Sequence, residues 1–198
     1  MINIAVFISG GGTNLQSLID AIKSNYISNA NIKLVISSKK SAYGLERAKK
    51  ENIKAIFSKD EDEIISLLHD EKIDLIVLAG YLSIISPRLI DLYPNKIINI
   101  HPSLIPSFSG PGYYGLHVHE AVFKRGVKVS GATVHFVNKD VDGGPIILQE
   151  AIDISSCNSK EEIQELILKN IEHQILPKAV KLYCENKLII ENERVKVL

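Results

Sequence analysis

The chain has 198 residues, 45% of them hydrophobic, and its 23 basic residues balance its 23 acidic ones. That length supplies a full core and makes one domain, 1–198, the default expectation. Zero net charge gives no reason to expect nucleic acid or an anionic membrane as partner, and no apolar run approaches the ~20 residues that cross a bilayer. Cys157 and Cys184 lie far apart without a CxxC spacing, which argues against a zinc ribbon or redox pair. The N-terminus has no basic segment ahead of its apolar run, so no secretory signal is read and a cytoplasmic location is expected.

Residues 2–8 form a β-branched and aromatic run, the pattern of a central parallel strand. It ends in Ser9-Gly10-Gly11-Gly12-Thr13-Asn14, after which Leu15, Leu18, Ile19 and Ile22 mark a helix starting near Asn14. A strand, a glycine loop and a helix N-terminus in that order present bare backbone N–H groups and partial positive charge, as a phosphate site does. An ordinary tight βα turn has the same outline. The loop fits neither G-x-x-x-x-G-K-[ST] nor G-x-G-x-x-G, so a P-loop ATPase and a dinucleotide-binding enzyme are not supported.

The alternation continues with strands predicted at 32–36, 55–57 and 73–79 and helices at 43–51 and 60–69. It implies an α/β fold with a mostly parallel twisted sheet and helices on both faces, where ligands lie beyond the carboxyl ends of the strands. A further apolar run, Lys96-Ile97-Ile98, leads into Asn99-Ile100-His101-Pro102. In an extended chain Asn99 and His101 project to one face, pairing an amide donor with a titratable ring. The alternative is a strand exit capped by asparagine and a proline turn.

The glycine- and tyrosine-rich loop 107–115 follows, read as a lid over substrate, and then a helix beginning near His117 and His119. Those histidines, two residues apart, would sit on different helical faces, which disfavours a zinc pair. Strands at 129–137 and 146–154, joined by the turn at Asp140-Val141-Asp142-Gly143-Gly144-Pro145, read as an antiparallel pair at the sheet edge. Ser159 and Glu162 form a capping box for a helix burying Ile163, Leu166, Ile167, Ile171 and Ile175, which Pro177 is expected to kink or interrupt. The tail, 188–197, reads as a small hairpin.

Five stretches in order, SGGGTNLQ (9–16), LAGYL (78–82), NIHPSLIP (99–106), GATVHFV (131–137) and DGGPIILQ (142–149), closely resemble the phosphoribosylglycinamide formyltransferases, folate-dependent enzymes of purine biosynthesis. The resemblance spans almost the whole chain. It implies one Rossmann-like formyltransferase domain, with a phosphate-binding half at 1–98 and a catalytic and folate-binding half at 99–198. It also implies transfer of formyl from 10-formyltetrahydrofolate, as co-substrate, to the amine of glycinamide ribonucleotide, with no metal. By the same resemblance Asn99 bonds the formyl oxygen, His101 is the general acid, and Asp142 pairs with His101 and organises a proton-relaying water. Gly11, Gly12, Thr13, Asn14 and Glu172 contact the ribonucleotide. Lys59, Leu82, Ser83, Ile84, Ile85 and Asn99 line the folate site, and His135 lies nearer to structural support than to the chemistry.

The chemistry agrees with those roles. An amine attacking a formyl carbon creates an oxyanion that needs a preplaced donor, and a carboxylate beside His101 is expected to raise its pKa toward the working pH. Ser83 stands where many relatives carry a basic residue, and loop 107–115 is longer and more aromatic than in some. Monomer and homodimer are both compatible with the sequence. Three rivals are a formyltetrahydrofolate hydrolase, a silent nucleotide-binding module and a metallohydrolase built from His101, His135 and Asp142. A tRNA formyltransferase is disfavoured by the absence of a basic excess.

Overall fold

A computed structural model describes residues 1–198, which form two compact units, Met1–Asn99 and Ile100–Leu198. In the first, strands β1 (Ile2–Ile8), β2 (Ala30–Ser37), β3 (Lys54–Phe57) and β4 (Leu75–Leu78) alternate with helices α1 (Thr13–Lys23), α2 (Tyr43–Lys50) and α3 (Glu61–Asp70). Helix α4 (Pro87–Leu92) then precedes β5 (Ile97–His101), which carries the chain into the second unit. The pairings β3–β2, β2–β1, β1–β4 and β4–β5 are all parallel. β1 is central, and Ile4 to Ile8 are essentially without solvent exposure, as a strand covered on both faces requires. Truncating Phe7 or Ile8 to alanine removes a side chain from this core at a cost of about 2–5 kcal/mol.

Helix starts follow their chemistry. The Asp60 side chain accepts the backbone N–H groups of Asp62 and Glu63 at the head of α3, where three further acidic residues complement the helix dipole. The short α4 is absent from the sequence reading, although Ser86 caps it by accepting the Leu89 N–H and Pro87 opens it. Its Ser-Pro start was the available signal; at six residues it is too short for a periodic apolar stripe.

In the second unit, α5 (Leu116–Arg125) leads to the antiparallel pair β6 (Val129–Phe136) and β7 (Ile146–Asp153). The mostly parallel strands with an antiparallel pair in the C-terminal half are as the sequence predicts. The β6–β7 register slips between Val134 and His135, beside the turn that carries Asp142. Gly144 lies so close to β6 that an added Cβ would stand 1.8 Å from the Phe136 carbonyl oxygen. Only glycine permits that approach.

Ser159 caps α6 (Lys160–Ile167) by accepting the Glu162 N–H, and Glu162 reaches back to the N–H of Asn158, one residue before the cap. The interruption expected at Pro177 occurs earlier, as a π-helical turn over Leu168–Glu172, and α7 (His173–Cys184) runs through the proline. The widened turn just ahead of Pro177 eases the two constraints of a helical proline, its missing N–H and the crowding of the carbonyl four residues back. The chain closes with the hairpin β8 (Leu188–Glu191) and β9 (Arg194–Val197).

Candidate functional site

The first unit holds the glycine loop. β1 ends at Ile8 and α1 begins at Thr13, with Gly12 as its N-cap at φ 71° and no side chain capping the helix. Two carbonyls of the loop are pinned toward α2: Gly10 O accepts the Gly44 N–H at 3.1 Å, and Gly11 O accepts Arg47 Nε at 2.8 Å. Because each peptide is planar and trans, the N–H groups of Gly11 and Gly12 point the other way. Gly10 and Gly11 are exposed, and α1 has no acidic residue in its first turn. The loop therefore offers backbone donors and the positive end of a helix to an anion, with Thr13 and Asn14 in that first turn.

Gly12 tolerates no side chain there, since a Cβ would stand 2.6 Å from Gly44 Cα. The sequence reading named Gly11, Gly12, Thr13 and Asn14 but passed over Gly44 and Arg47, which set the direction of the loop. Arg47 also bonds Gln16 Oε1 at 3.2 Å and stacks on Tyr43.

The same unit carries all six residues assigned to folate. Ser9, at the end of β1, bonds the Ser38 hydroxyl at 2.6 Å and accepts the Leu82 N–H at 2.8 Å. That ties the 82–85 segment to the strand beside the glycine loop. Tyr81 packs edge-on against Phe7, and burial raises its phenol above the ordinary range. Leu82, Ser83 and Ile84 are exposed, Ile84 to 82%. Lys59 is exposed between β3 and α3. Asn99 lies on β5 opposite Leu78 of β4, two residues ahead of His101 on the same strand.

The second unit holds the titratable cluster. His101 ends β5 and is 4% exposed. Its Nδ1 lies 3.5 Å from Asp142 Oδ2, and its Nε2 lies 2.9 Å from the Phe108 carbonyl oxygen. The other carboxylate oxygen, Oδ1, is 3.7 Å from Nε2 of His135, whose Nδ1 faces the Phe136 carbonyl at 2.8 Å. Asp142 Oδ2 accepts the Gly110 N–H at 2.9 Å. Asp142 occupies the left-handed region at φ 55°, a strained backbone for a non-glycine residue, which this set of contacts holds in place. His135 thus stands directly against the Asp142 carboxylate.

Charge states follow from these surroundings. Burial pushes the His101 imidazolium below the ordinary histidine value; Asp142 and the Phe108 carbonyl oppose that shift, and His135 adds to it. The expectation of a raised His101 pKa is therefore corrected, because desolvation outweighs the carboxylate. Burial alone would raise Asp142, but His135, His101 and the Gly110 N–H reverse it and hold the carboxyl below its usual range. At pH values above the ordinary histidine range both directions favour a neutral imidazole beside a carboxylate.

His119, on α5, is 1% exposed, its Nδ1 has no hydrogen-bond partner, and burial, with His101 nearby, drives it down to about 4. His117 on the same helix is exposed beside Glu120. Glu172, expected at the ribonucleotide, is buried at the end of the π turn, a type of distortion common at functional sites. No group of three or more His, Cys, Asp or Glu side chains is arranged to hold a metal ion.

Residues 2–180 match the family model described as formyl transferase. The chain is 42% identical to phosphoribosylglycinamide formyltransferase of Haemophilus influenzae, over 97% of this chain and 92% of that protein. It is 36% identical to the Escherichia coli enzyme of the same name, over 94% and 89% respectively. Among solved structures, glycinamide ribonucleotide transformylase 1 from Symbiobacterium toebii superposes with a TM-score of 0.92 at 39% identity, covering 100% of this chain and 94% of that one. The chain belongs to the formyl transferase family.

Proposed function

We propose that this enzyme transfers the formyl group of 10-formyltetrahydrofolate to the amine of glycinamide ribonucleotide, and that Asn99, His101 and Asp142 carry the transfer. The observation that supports it most is the buried His101–Asp142 pair, imidazole and carboxyl 3.5 Å apart, with Asn99 on the same strand as the histidine. Attack of the neutral amine on the formyl carbon forms a C–N bond and places negative charge on the formyl oxygen. The Asn99 amide donates to that oxygen, a contribution typically worth about 3–4 kcal/mol of barrier. The amine proton passes to His101, through a water held by Asp142, and the imidazolium so formed is stabilised by the carboxylate. His101 then protonates the departing folate nitrogen as its bond to the formyl carbon breaks. One proton leaves the amine and one arrives at the folate, so the step balances without a metal.

Gly11, Gly12, Thr13 and Asn14 bind the ribonucleotide phosphate through backbone N–H groups, and Glu172 contacts the same substrate. Lys59, Leu82, Ser83, Ile84 and Ile85 line the folate site, where the exposed Ile84 supplies apolar surface for a pterin. No helix is long and apolar enough to cross a membrane, and we place the enzyme in the cytoplasm with its small-molecule substrates. The test is formyl transfer with and without acceptor, wild type beside His101→Ala. Acceptor-dependent turnover that His101→Ala abolishes is the expected result, whereas folate consumption independent of acceptor would overturn the reading.

A further inference from the structure

We propose that Ser103 is a positioning residue for the reaction: it latches the Ser107–Phe108 turn so that the Phe108 carbonyl holds His101 Nε2, leaving Nδ1 as the nitrogen that exchanges protons. The inference rests on the reading of His101 as the proton-moving group and adds which atom moves the proton and what decides it.

Donor and acceptor chemistry places the ring hydrogen of His101. A carbonyl oxygen only accepts, so the 2.9 Å contact with Phe108 requires the hydrogen on Nε2. A neutral imidazole has one N–H, so its lone pair is on Nδ1, the atom 3.5 Å from Asp142 Oδ2. The same turn supplies the Gly110 N–H to that carboxylate oxygen. One short segment thus fixes the tautomer of the ring and holds the carboxylate facing it.

Ser103 holds the turn. Ser103 has 0% exposure, and its hydroxyl donates to the Ser107 carbonyl at 2.6 Å, with the Phe108 carbonyl 3.3 Å away. Its own carbonyl is anchored on β6 by the Thr133 hydroxyl at 2.6 Å. Thr133 Oγ1 in turn accepts the Ile105 N–H at 3.1 Å and Gln149 Nε2 at 3.0 Å, so its hydrogen and both lone pairs are used. Phe108 sits at φ 50°, a left-handed conformation that a phenylalanine holds only under outside restraint. The Ser103 hydroxyl holds the Ser107 carbonyl, which belongs to the peptide leading into Phe108. Without it, the Phe108 carbonyl is free to turn from Nε2 and the ring is free to place its hydrogen on Nδ1, the wrong nitrogen to receive a proton.

The experiment is ¹⁵N NMR of histidine-labelled full-length protein at a pH where His101 is neutral, with His101→Ala identifying the resonance, beside kinetics of Ser103→Ala. Wild-type His101 is expected as the Nε2–H tautomer. Ser103→Ala is expected to populate both tautomers and to lower kcat about tenfold, with both KM values within about twofold. Loss of the Phe108 bond, which favours the imidazolium, also moves the acidic limb of kcat/KM to lower pH.

An Nδ1–H tautomer in the wild type overturns the proposal without any variant. Ser103→Ala that is merely less stable, with wild-type tautomer and pH profile, overturns it as well. If Ser103→Ala does not fold, Ser103→Cys keeps a weaker donor in place and is expected to give intermediate tautomer populations; wild-type populations would count against the latch. The tautomer is read on the resting protein without substrates, so this outcome is separate from that of the proposed function, which fails if His101→Ala retains acceptor-dependent turnover.

Discussion

The glycine loop of the first unit and the His101–Asp142 cluster of the second prepare their chemistry in opposite ways. The loop presents backbone, with Gly10 and Gly11 exposed and its direction set by Gly44 and Arg47 taking up its carbonyls. The cluster presents side chains that are almost fully buried, and their protonation depends on what surrounds them. Backbone N–H groups cannot titrate and need only be aimed, which exposure allows. The proposed proton-moving pair lies out of water, where burial shifts the imidazole and strengthens its interaction with the carboxylate.

The largest expected difference between the two is in turnover. His101→Ala or Asp142→Asn should lower kcat by about 10²–10⁴-fold while the ribonucleotide still binds, read by steady-state kinetics and by ligand titration. Loss of ribonucleotide binding in these variants would break the division of labour.

Acid sensitivity belongs to the second unit. His119 titrates at about 4 in the folded protein and near 6.5 when unfolded, a depressed value whose stability contribution is present above pH 6.5 and lost as pH falls toward 4. Its share is about 3 kcal/mol, and His101, also lowered, adds in the same direction. Urea titrations at stepwise lower pH should show the loss, and His119→Leu should flatten it, since no hydrogen bond of Nδ1 is sacrificed. A profile unchanged by that substitution would assign the acid lability elsewhere.

The loop is expected to respond in geometry. Gly12→Ala forces a Cβ within 2.6 Å of Gly44 Cα at φ 71°, and should cost about 1–3 kcal/mol of stability and raise the ribonucleotide KM more than it lowers kcat. Smallest is Arg47→Ala. Releasing the Gly11 carbonyl should raise the ribonucleotide KM about threefold to tenfold with kcat nearly unchanged. A kcat loss without a KM change would mean that Arg47 does not act through the loop.

Asp142 entered only through the family resemblance; the sequence by itself determined the βα alternation, the glycine loop and the placing of Asn99 and His101 together on one strand. Each is written in local pattern: apolar period, glycine spacing, or residues that share a strand face. It also marked Ser159 as a cap, because a capping hydroxyl acts within three residues. Pro177 misled, since whether a helix bends at a proline depends on the register of the turn before it. Only the tertiary structure decided that His101 rests neutral, because desolvation is a property of everything packed around a ring and not of its neighbours in the chain. It likewise brought His135 onto Asp142, Arg47 onto Gly11, and Ser103 onto the turn that holds Nε2. Arg47 and Gly11 lie 36 residues apart, and both that contact and the Ser103 contact are made to a backbone carbonyl, a group that every residue carries and that no residue type reveals.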